Sequence, residues 1–480
     1  MKKEESNIFI YFYLFFLLLQ ATQTLIPYSH GDALYYHLVG PKLWKESNWS
    51  SMWEDLSHYA QAGYFDLLYF VPTYFIESKL VNQIVCQFIH FFFSIFLGSL
   101  FVIYIIKDKV WGPICGIAIL TIANDSSFFY YAKNDGALAF FSLLAAYLVI
   151  NKTYNHHPII GVILIGIIPG IKINGFLIIF PLILVLFYQL YKKETYFHKI
   201  FIVGTISLIA VLPQLVKNHI YTGNPLFPGL VSLFPGNLTE PMLQHYGHYY
   251  GNPMSLEIFF KQVIDLITGK SIIILTPLIF FYFRKTSNQT LFYLFIGLSV
   301  FLIYIIYNGS LLHPRYYFTS YFLITTSIFL FLNQRNINSK KFIISIFLIT
   351  IIDSKLDLSI NGVYKIINSY YTQTEEEILN QYITITKVWN EIDSSSNTEY
   401  IISDYISNSY YLPKNIRLHT AKQSLGADFL ITCKDSQEIE KFKKYKYALI
   451  TNKNTNYCYE HIINKGKLII NQDDHRLYRL

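Results

Sequence analysis

Uninterrupted apolar runs recur along the first three quarters of the chain. Five of them carry no charge and approach the roughly 20 residues with which a helix spans a bilayer: residues 8–19, 84–106, 176–190, 291–307 and 316–332. Shorter runs repeat the pattern at residues 112–123, 136–150, 158–171, 200–216, 271–283 and 342–352. The pattern therefore predicts an α-helical polytopic membrane protein with about eleven transmembrane helices.

The pattern changes after residue 353. The segment from there to the end contains sixteen Lys and Arg against sixteen Asp and Glu, so the net charge of +7 belongs to the preceding part. Short β-branched stretches alternate in it with polar or helix-like segments such as 436–446. These stretches are residues 400–403, 429–432, 447–451 and 468–471. The alternation predicts a small α/β domain at residues 353–480, after a membrane domain at residues 1–352.

Basic residues fix the orientation of the predicted helices. With Met1 in the cytoplasm, the short inner loops hold thirteen Lys and Arg, whereas the longer outer segments before residue 353 hold nine. Cytoplasmic loops are enriched in Lys and Arg. We therefore expect a multi-pass protein of the plasma or inner membrane with an extracytoplasmic C-terminal domain.

Composition supports this class and limits the others. The chain is 53% apolar and only 14% charged, which exceeds what one soluble core requires. We expect membrane lipid to surround the apolar part of the chain, and we expect no nucleic-acid partner. Cys86 and Cys115 fall in apolar runs, where buried thiols are ordinary. Cys433 and Cys458 lie in the polar tail, and the sequence leaves open whether they pair.

Two predicted outer loops, residues 27–79 and 217–270, are longer than a connection requires. Asp32 lies in the first, between Gly31 and a predicted interfacial helix. At the N-terminus of such a helix the dipole favours the ionised form that a general base needs. A simple helix cap without catalytic role is the alternative interpretation.

Other charged candidates lie at the same predicted face. Asp135, in the motif Lys133-Asn-Asp135, precedes a predicted span and is either a catalytic acid or a helix cap. Lys172 interrupts an apolar segment, where a lysine is costly unless it pairs or reaches water. We expect it to bind a phosphate, with a snorkelling side chain as the alternative.

The second long loop and a later one add polar candidates. Asn218 precedes the turn-forming segment 222–228, and His313-Pro-Arg315 supplies a guanidinium that can grip a phosphate with two hydrogen bonds. Carboxylates and cations distant in sequence thus fall at one membrane face. Transfer of a sugar from a polyprenyl phosphate uses such a set, because cations stabilise the departing phosphate while a carboxylate takes the acceptor proton. Single displacement of this kind inverts the anomeric centre.

Five ordered motifs resemble the GT-C membrane glycosyltransferases, in particular the bacterial branch related to protein O-mannosyltransferases and aminoarabinose transferases. The resemblance covers about residues 8–350. The motifs are Gly31-Asp-Ala-Leu-Tyr-Tyr-His37 with Pro41-Lys42 and Trp44, Lys133-Asn-Asp135, Gly170-Ile-Lys-Ile-Asn-Gly175, Lys217-Asn-His-Ile-Tyr-Thr-Gly-Asn-Pro-Leu-Phe-Pro228, and His313-Pro-Arg-Tyr-Tyr317.

The resemblance implies roles for these residues. Asp32 corresponds to the first-loop catalytic aspartate and Asp135 to the second-loop acid. Lys172 and Arg315 are by the same resemblance candidate donor-phosphate contacts. Further candidates for donor-phosphate or substrate binding are His37, Lys133, Asn218 and His313. The implied donor is a polyprenyl-phosphate sugar, and the acceptor is an envelope glycolipid, glycan or protein. Some members of the fold use a divalent metal, and the sequence leaves metal dependence open.

Two other functions fit parts of the pattern. A lipid-linked oligosaccharide ligase or polymerase also needs outward cations, but it favours basic over acidic residues in its long loop. Loop 27–79 has six acids against three lysines, which favours the transferase. A lipid or sugar transporter places ionisable residues near the bilayer midplane and often has repeated halves. Neither feature is visible in the sequence.

Overall fold

A computed structural model describes most of the membrane part and the ordered elements of the C-terminal part. The described residues are 3–28, 33–46, 63–122, 131–156, 158–231, 233–237, 243, 255–269, 271–308, 317–335, 337, 339–352, 356–383, 385–390, 392, 399–403, 409–411, 416–420, 447–451, 466–472 and 475–479. The predicted strand at residues 429–432, the predicted helix at residues 436–446 and the cysteines Cys433 and Cys458 lie outside them.

Apolar helices form the membrane part, and the described residues of each predicted apolar run lie mainly in helix. The α-helices up to residue 222 are α1 (Lys3–Gln23), α2 (Val39–Glu46), α3 (Asp66–Phe75), α4 (Lys79–Phe91), α5 (Leu97–Ile106), α6 (Trp111–Ile122), α7 (Asp135–Ile150), α8 (Pro158–Ile171), α9 (Gly175–Tyr191) and α10 (Phe197–Thr222). The remaining α-helices before the tail are α11 (Leu256–Gly269), α12 (Thr276–Phe281), α13 (Asn288–Asn308), α14 (Phe318–Gln334) and α15 (Lys340–Ile352).

Within the described ranges, four segments are by themselves long and apolar enough to cross a bilayer: Ser6–Gln23, Lys79–Ile106, Phe197–Thr222 and Asn288–Ile306. Shorter apolar helices, α6, α7 and α9 among them, pack beside these four. α1 exposes Tyr11, Phe15 and Leu18 on one side and buries Tyr13 and Phe16 on the other. Exposed apolar side chains of this kind suit a lipid surrounding, and they confirm the polytopic membrane class.

Small residues allow the helices to approach closely. At Gly166 a Cβ atom would lie 2.4 Å from the Ser207 carbonyl oxygen, so only glycine permits this crossing of α8 and α10. Hydroxyl groups add hydrogen bonds between helices, such as the one of 2.9 Å between Tyr13 and Ser99. Cys86 and Cys115 are free and buried in helices, as predicted.

The first long loop contains more helix than the sequence indicated. A π-helical turn, Ala33–His37, leads into α2, and α3 follows at Asp66–Phe75. The prediction of an interfacial helix after Asp32 is consistent with the first two elements. α3 was not predicted, because its ten residues are too few for a span and their exposed side chains break the usual amphipathic pattern.

The C-terminal part combines short helices with one sheet. Its elements are α16 (Leu356–Thr372), α17 (Glu375–Tyr382), α18 (Ile385–Trp389), β1 (Glu399–Ser403), β2 (Ile416–Thr420), β3 (Tyr447–Thr451), β4 (Lys467–Gln472) and β5 (His475–Arg479). The sheet order is β2-β1-β3-β5-β4. β1 pairs in parallel with β2 and β3, whereas β5 pairs antiparallel with β3 and β4. The α/β character is confirmed, although β2 and β5 were missed.

The C-terminal part packs directly on the first loop and α4. Glu375 accepts hydrogen bonds from the Leu80 backbone N–H (3.2 Å) and the Ser78 hydroxyl (2.9 Å). A short 3-10 turn, Ser409–Tyr411, inserts two tyrosines against α4, and the Asn82 amide donates to the Tyr410 hydroxyl at 2.6 Å. We call this contact region the seam. The domain boundary near residue 353 itself stays a prediction.

Candidate active site

A buried histidine and aspartate form the first part of the candidate site. His37 ends the π-helical turn and donates through Nδ1 to Asp66 Oδ1 at 2.7 Å. The side chains are 1% and 0% exposed. The Gly63 backbone N–H donates to the other Asp66 oxygen at 2.7 Å. Because Asp66 is the first residue of α3, the helix dipole also favours its negative charge. The carboxylate thereby fixes the orientation of the imidazole ring.

The turn before Asp66 is clamped between two helices of the membrane part. The Tyr64 backbone N–H donates to the Gly170 carbonyl at 2.7 Å, and the Tyr64 hydroxyl donates to the Ala210 carbonyl at 2.7 Å. A Cβ atom at Gly63 would lie only 2.2 Å from the Ile171 carbonyl oxygen. The absence of a side chain at Gly63 therefore allows the close approach that positions Asp66.

An ion pair joins two of the motifs singled out in the sequence. Lys172, just after α8, places its ammonium 2.5 Å from Asp135 Oδ1 at the start of α7. Asp135 is 5% exposed. The Asn134 amide donates to the Ile171 carbonyl at 3.0 Å, which fastens the same two helix ends. The predicted convergence of Asp135 and Lys172 is thus present, and in this structure the lysine is paired with the carboxylate.

His90, on the buried polar face of α4, organises the segment before α7. Its Nδ1 donates to the Tyr131 carbonyl at 2.6 Å, and its Nε2 accepts the Gly136 backbone N–H at 3.2 Å. Both ring nitrogens therefore form hydrogen bonds with backbone groups. Lys133 is fully buried, with its ammonium 5.7 Å from the centre of the Tyr131 ring.

Tyr69 links the two acid-containing pairs. Its hydroxyl donates to the Lys133 carbonyl. Burial raises the pKa of this hydroxyl well above its usual range, and the neighbouring carboxylates of Asp66 and Asp135 raise it further. Tyr69 consequently stays a neutral donor that ties α3 to the segment before α7.

The end of α10 completes the arrangement. Lys217 lies close enough to Asp66 for the aspartate charge to act on it. Asn218 is buried, and its amide donates to the carbonyls of Pro225 (3.2 Å) and Phe227 (3.1 Å). The amide thus holds the turn after α10, and a substrate contact by Asn218 stays a prediction.

These interactions assemble one group at a single end of the helix bundle. Charges of neighbouring members act on His90, Tyr69 and Lys217, which connects the two acid-containing pairs. We call the group the charged cluster, and its described members are His37, Asp66, His90, Lys133, Asp135, Lys172 and Lys217. With three lysines and two aspartates, the described members bring both signs of charge together at this end of the bundle.

Several sequence candidates lie outside the described residues: Asp32, His313 and Arg315. Their roles stay predictions. Among the residues that the structure describes, no group of three or more His, Cys, Asp or Glu side chains could hold a metal ion. The ammonium of Lys172 lies against Asp135 and balances its charge.

The sequence analysis missed Asp66, His90 and Tyr69. Asp66 had a usable signal, since it is an acid directly before an apolar segment, the same pattern that identified Asp135. His90 and Tyr69 lie within apolar surroundings and reach the cluster only through helix packing. No spacing pattern marks such residues.

Comparisons with known proteins identify the fold. No family model and no curated protein matches the sequence. Two crystal structures of ArnT from Cupriavidus metallidurans are similar to this chain, one bound to undecaprenyl phosphate and one in the apo state. Each matches with a TM-score of 0.66 at 10% sequence identity over 98% of this chain, and over 98% and 97% of the respective ArnT chains. The predicted GT-C-type membrane fold is therefore confirmed.

Proposed function

We propose that this chain is an inverting glycosyltransferase that moves a sugar from a polyprenyl-phosphate-linked donor to an acceptor at the extracytoplasmic membrane face. The acceptor class is an envelope glycolipid, a polysaccharide or a protein. The observation that carries the proposal is the convergence of the His37–Asp66 and Asp135–Lys172 pairs at one end of a bundle with this fold. One ArnT structure of the same fold was solved with undecaprenyl phosphate.

The cations of the cluster would stabilise the negative charge of a phosphate leaving group. As the bond between the anomeric carbon and the phosphate oxygen breaks, negative charge grows on that oxygen. Lys172 and Lys217 would stabilise this charge, and such stabilisation is often the largest contribution to rate. Asp135 holds the Lys172 ammonium in place through the ion pair of 2.5 Å. Asp135 is therefore assigned as a positioning residue.

The acids supply the proton acceptor. The acceptor hydroxyl loses its proton to a carboxylate while its oxygen bonds to the anomeric carbon from the side opposite the phosphate. The resemblance assigns this base to Asp32, five residues before His37. The His37–Asp66 pair would orient the acceptor next to that base, because its imidazole is held rigidly by the buried carboxylate. Polyprenyl phosphate leaves with its electron pair, and the configuration is inverted.

Location and domain roles complete the proposal. The excess of basic residues in the predicted inner loops supports an outward placement of both the charged cluster and residues 353–480. The C-terminal domain would position the acceptor across the seam. Fusion of a phosphatase that folds only outside the cytoplasm to Leu480 tests the placement: activity of the fusion supports it, and an inactive but stable fusion contradicts it.

The decisive experiment compares surface glycolipids and glycoproteins by mass spectrometry. A strain lacking the protein is complemented with the wild type, with Asp32→Asn, or with Glu194→Gln as a control acid at the opposite end of the bundle. We expect one sugar mass to disappear without the protein and to return with the wild type and the control but not with Asp32→Asn. Full restoration by Asp32→Asn would contradict its role as the base, and an unchanged deletion strain would contradict the transferase proposal.

A further inference from the structure

α16, the first helix of the C-terminal part, lies against the end of α1. The Tyr370 hydroxyl donates to the Leu25 carbonyl at 2.8 Å, two residues beyond α1. A Cβ atom at Gly362 would lie 3.4 Å from Ile26 Cδ1, so this part of α16 contacts the same turn. α1 has 21 residues and is therefore about 31 Å long, close to the thickness of the hydrocarbon core of a bilayer. The end of α1 thus lies at the boundary between lipid and water, and α16 lies there with it.

One face of α16 is buried against the bundle. Ile366 is fully buried and packs in one cluster with Ile26, Leu80 and Ile378. Ser369, nearly one turn further along, is buried as well. These contacts join α16 to the loop after α1, the start of α4 and the following helix α17. The orientation of α16 about its own axis is therefore fixed.

A second face of α16 is apolar and exposed. Four large side chains recur at intervals of three or four residues and therefore share this face. Their exposed fractions range from 40% to 87%, and they are Ile360, Tyr364, Ile367 and Tyr371. We call them the apolar stripe. Contiguous exposed apolar surface of this kind marks a contact with lipid or with another protein.

A third face of α16 is polar. Four further exposed residues have the same spacing, each one position after a member of the stripe: Asn361, Lys365, Asn368 and Thr372. The buried, apolar and polar faces follow one another around the helix at about a third of a turn each. Within hydrocarbon the polar face would lose its hydration, and in water the apolar stripe would have no favourable contact. A helix along the boundary of the bilayer has suitable surroundings for both.

The helices next to α16 already face lipid. α15 ends at Ile352, which is 76% exposed, and the stripe begins eight residues later. Leu18, near the end of α1, is 68% exposed. α15 packs on α1 through the Phe347 ring, whose centroid lies 5.2 Å from that of Phe9. The apolar stripe therefore follows directly on the lipid-facing surface of α1 and α15, and lipid is the occupant that it fits.

The composition of the exposed faces suits this depth. Two of the four members of the stripe are tyrosines, which are enriched where lipid meets water because the ring is apolar and the hydroxyl reaches water. Lys365 is the one charged member of the polar face. Burial of the stripe, rather than attraction to anionic headgroups, would therefore supply most of the binding.

We propose that α16 is an interfacial helix whose apolar stripe lies in the surface of the bilayer. The C-terminal part is thereby bound to the membrane at a second place besides its connection to α15. Glu375, three residues after α16, bonds to the start of α4, so a fixed α16 also keeps the seam in place. The inference rests on the membrane fold alone and does not depend on the proposed transferase function.

Spin labels on neighbouring residues test which surroundings each face meets. The full-length protein in phosphatidylcholine vesicles carries one label at a time, after the tail cysteines are changed by Cys433→Ser and Cys458→Ser. Cys86 and Cys115 are buried and do not compete for the label. Two label positions are on the stripe and two on the polar face: Tyr364→Cys, Ile367→Cys, Lys365→Cys and Asn368→Cys. Oxygen concentrates in lipid and a nickel chelate in water, so the ratio of their collision rates identifies the surroundings.

We expect this ratio of oxygen to nickel collisions to be several-fold higher at the stripe positions than at the polar positions. Nickel-dominated collisions at all four positions would place α16 in water and overturn the proposal. Oxygen-dominated collisions at all four would make α16 part of a span and overturn it too. Spin–spin broadening at Ile367→Cys that disappears on dilution with unlabelled protein would show that a second copy covers the stripe, which also overturns the lipid assignment.

Hydrogen exchange gives a second test in a chain that keeps its four cysteines. Tyr364→Gln/Ile367→Gln reduces the apolar contact, while glutamine preserves helix propensity. In vesicles, the amides of α16 should lose protection about tenfold, the scale of losing part of the burial of two large side chains. The matched control Asn361→Gln/Lys365→Gln changes the polar face and should retain wild-type protection. Equal protection in the two double variants would overturn the proposal. Neither test involves sugar transfer, so a failed result leaves the proposed function untouched.

Discussion

The two ends of the helix bundle handle charge in opposite ways. At one end, Asp135 and Lys172 form an ion pair whose side chains are 5% and 18% exposed, next to the fully buried Lys133. At the other end, Lys152 and Glu194 form a pair at 3.0 Å whose side chains are 38% and 37% exposed. Both pairs join the ends of neighbouring helices, and their exposure to solvent differs.

The difference separates a structural ion pair from a candidate functional one. A solvent-exposed pair contributes about 0–1 kcal/mol and needs no further purpose. A buried pair loses solvation that its own attraction barely offsets, so apolar residues of similar volume often serve stability as well or better. The presence of several buried charges at one end of a membrane bundle therefore supports the proposed ligand binding there.

The largest expected effect is on activity, from loss of the buried cation. Lys172→Gln should lower the amount of transferred sugar about 100-fold, the scale reported for removal of one stabilising group at a developing charge. Lys152→Gln should leave the amount unchanged. The measurement is the glycan mass per molecule of protein in the complemented deletion strain. Equal activity of the two variants would remove the functional distinction between the two ends.

Stability should separate the same two pairs. Asp135→Asn leaves the Lys172 ammonium without its carboxylate and should lower the free energy of unfolding by about 3 kcal/mol. Glu194→Gln should cost less than about 1 kcal/mol. Denaturant unfolding in mixed micelles measures both values, and the double variant Asp135→Asn/Lys172→Gln should recover part of the loss. A cost for Asp135→Asn no greater than that for Glu194→Gln would mean that burial does not distinguish the pairs.

Two glycines sharpen the comparison at the level of packing. Gly63→Ala places a Cβ atom 2.2 Å from the Ile171 carbonyl and should displace the turn that holds Asp66, at a cost of roughly 1–3 kcal/mol. A Cβ atom at Gly204, in α10, meets nothing within 4 Å. Gly204→Ala should therefore be neutral or stabilise the helix by up to about 1 kcal/mol. The unfolding temperature and the activity should both fall in Gly63→Ala, and neither should fall in Gly204→Ala. If Gly63→Ala keeps both, the turn between α8 and α10 can shift to accommodate the added methyl group.

The smallest expected effect lies at the seam, in the capping box of α17. Thr374→Ala removes the hydroxyl that accepts the Glu377 backbone N–H and should weaken this helix by about 1 kcal/mol. Hydrogen exchange of the first turn of α17 measures it, and Thr372→Ala just before the helix is the control. Protection unchanged by Thr374→Ala would contradict the role of the cap.

The same capping box has a pH dependence with a defined sign. Hydrogen bonds from the Thr374 backbone N–H and hydroxyl lower the pKa of Glu377 below its ordinary value. A lowered pKa means that the stabilisation is present above the ordinary pKa of glutamate and is lost as the pH falls through the lowered value. Protection of α17, which is the exchange rate corrected for the intrinsic pH dependence of amide exchange, should accordingly fall in acid, and Glu377→Gln should abolish this dependence.

The sequence predicted the membrane helices because lipid imposes a simple rule. A spanning segment must be apolar and must form its backbone hydrogen bonds within itself. Runs such as residues 84–106 and 291–307 can therefore be recognised as helices without knowledge of their packing partners. The rule is weaker where no span is needed. α3 went unpredicted for that reason, and so did the strands β2 and β5, whose pairing partners are distant along the chain.

The residues of the candidate site also fall into those that the sequence identifies and those that only the structure identifies. The sequence alone identified Asp135 and Lys172, because a charge at the edge of an apolar run stands out against its background. Only the tertiary structure could pair Asp66 with His37 and place His90 beside Gly136. Such contacts join residues tens of positions apart, and they depend on which helix faces turn towards each other. Packing in three dimensions decides those faces, whereas local sequence composition decides only that the helices exist.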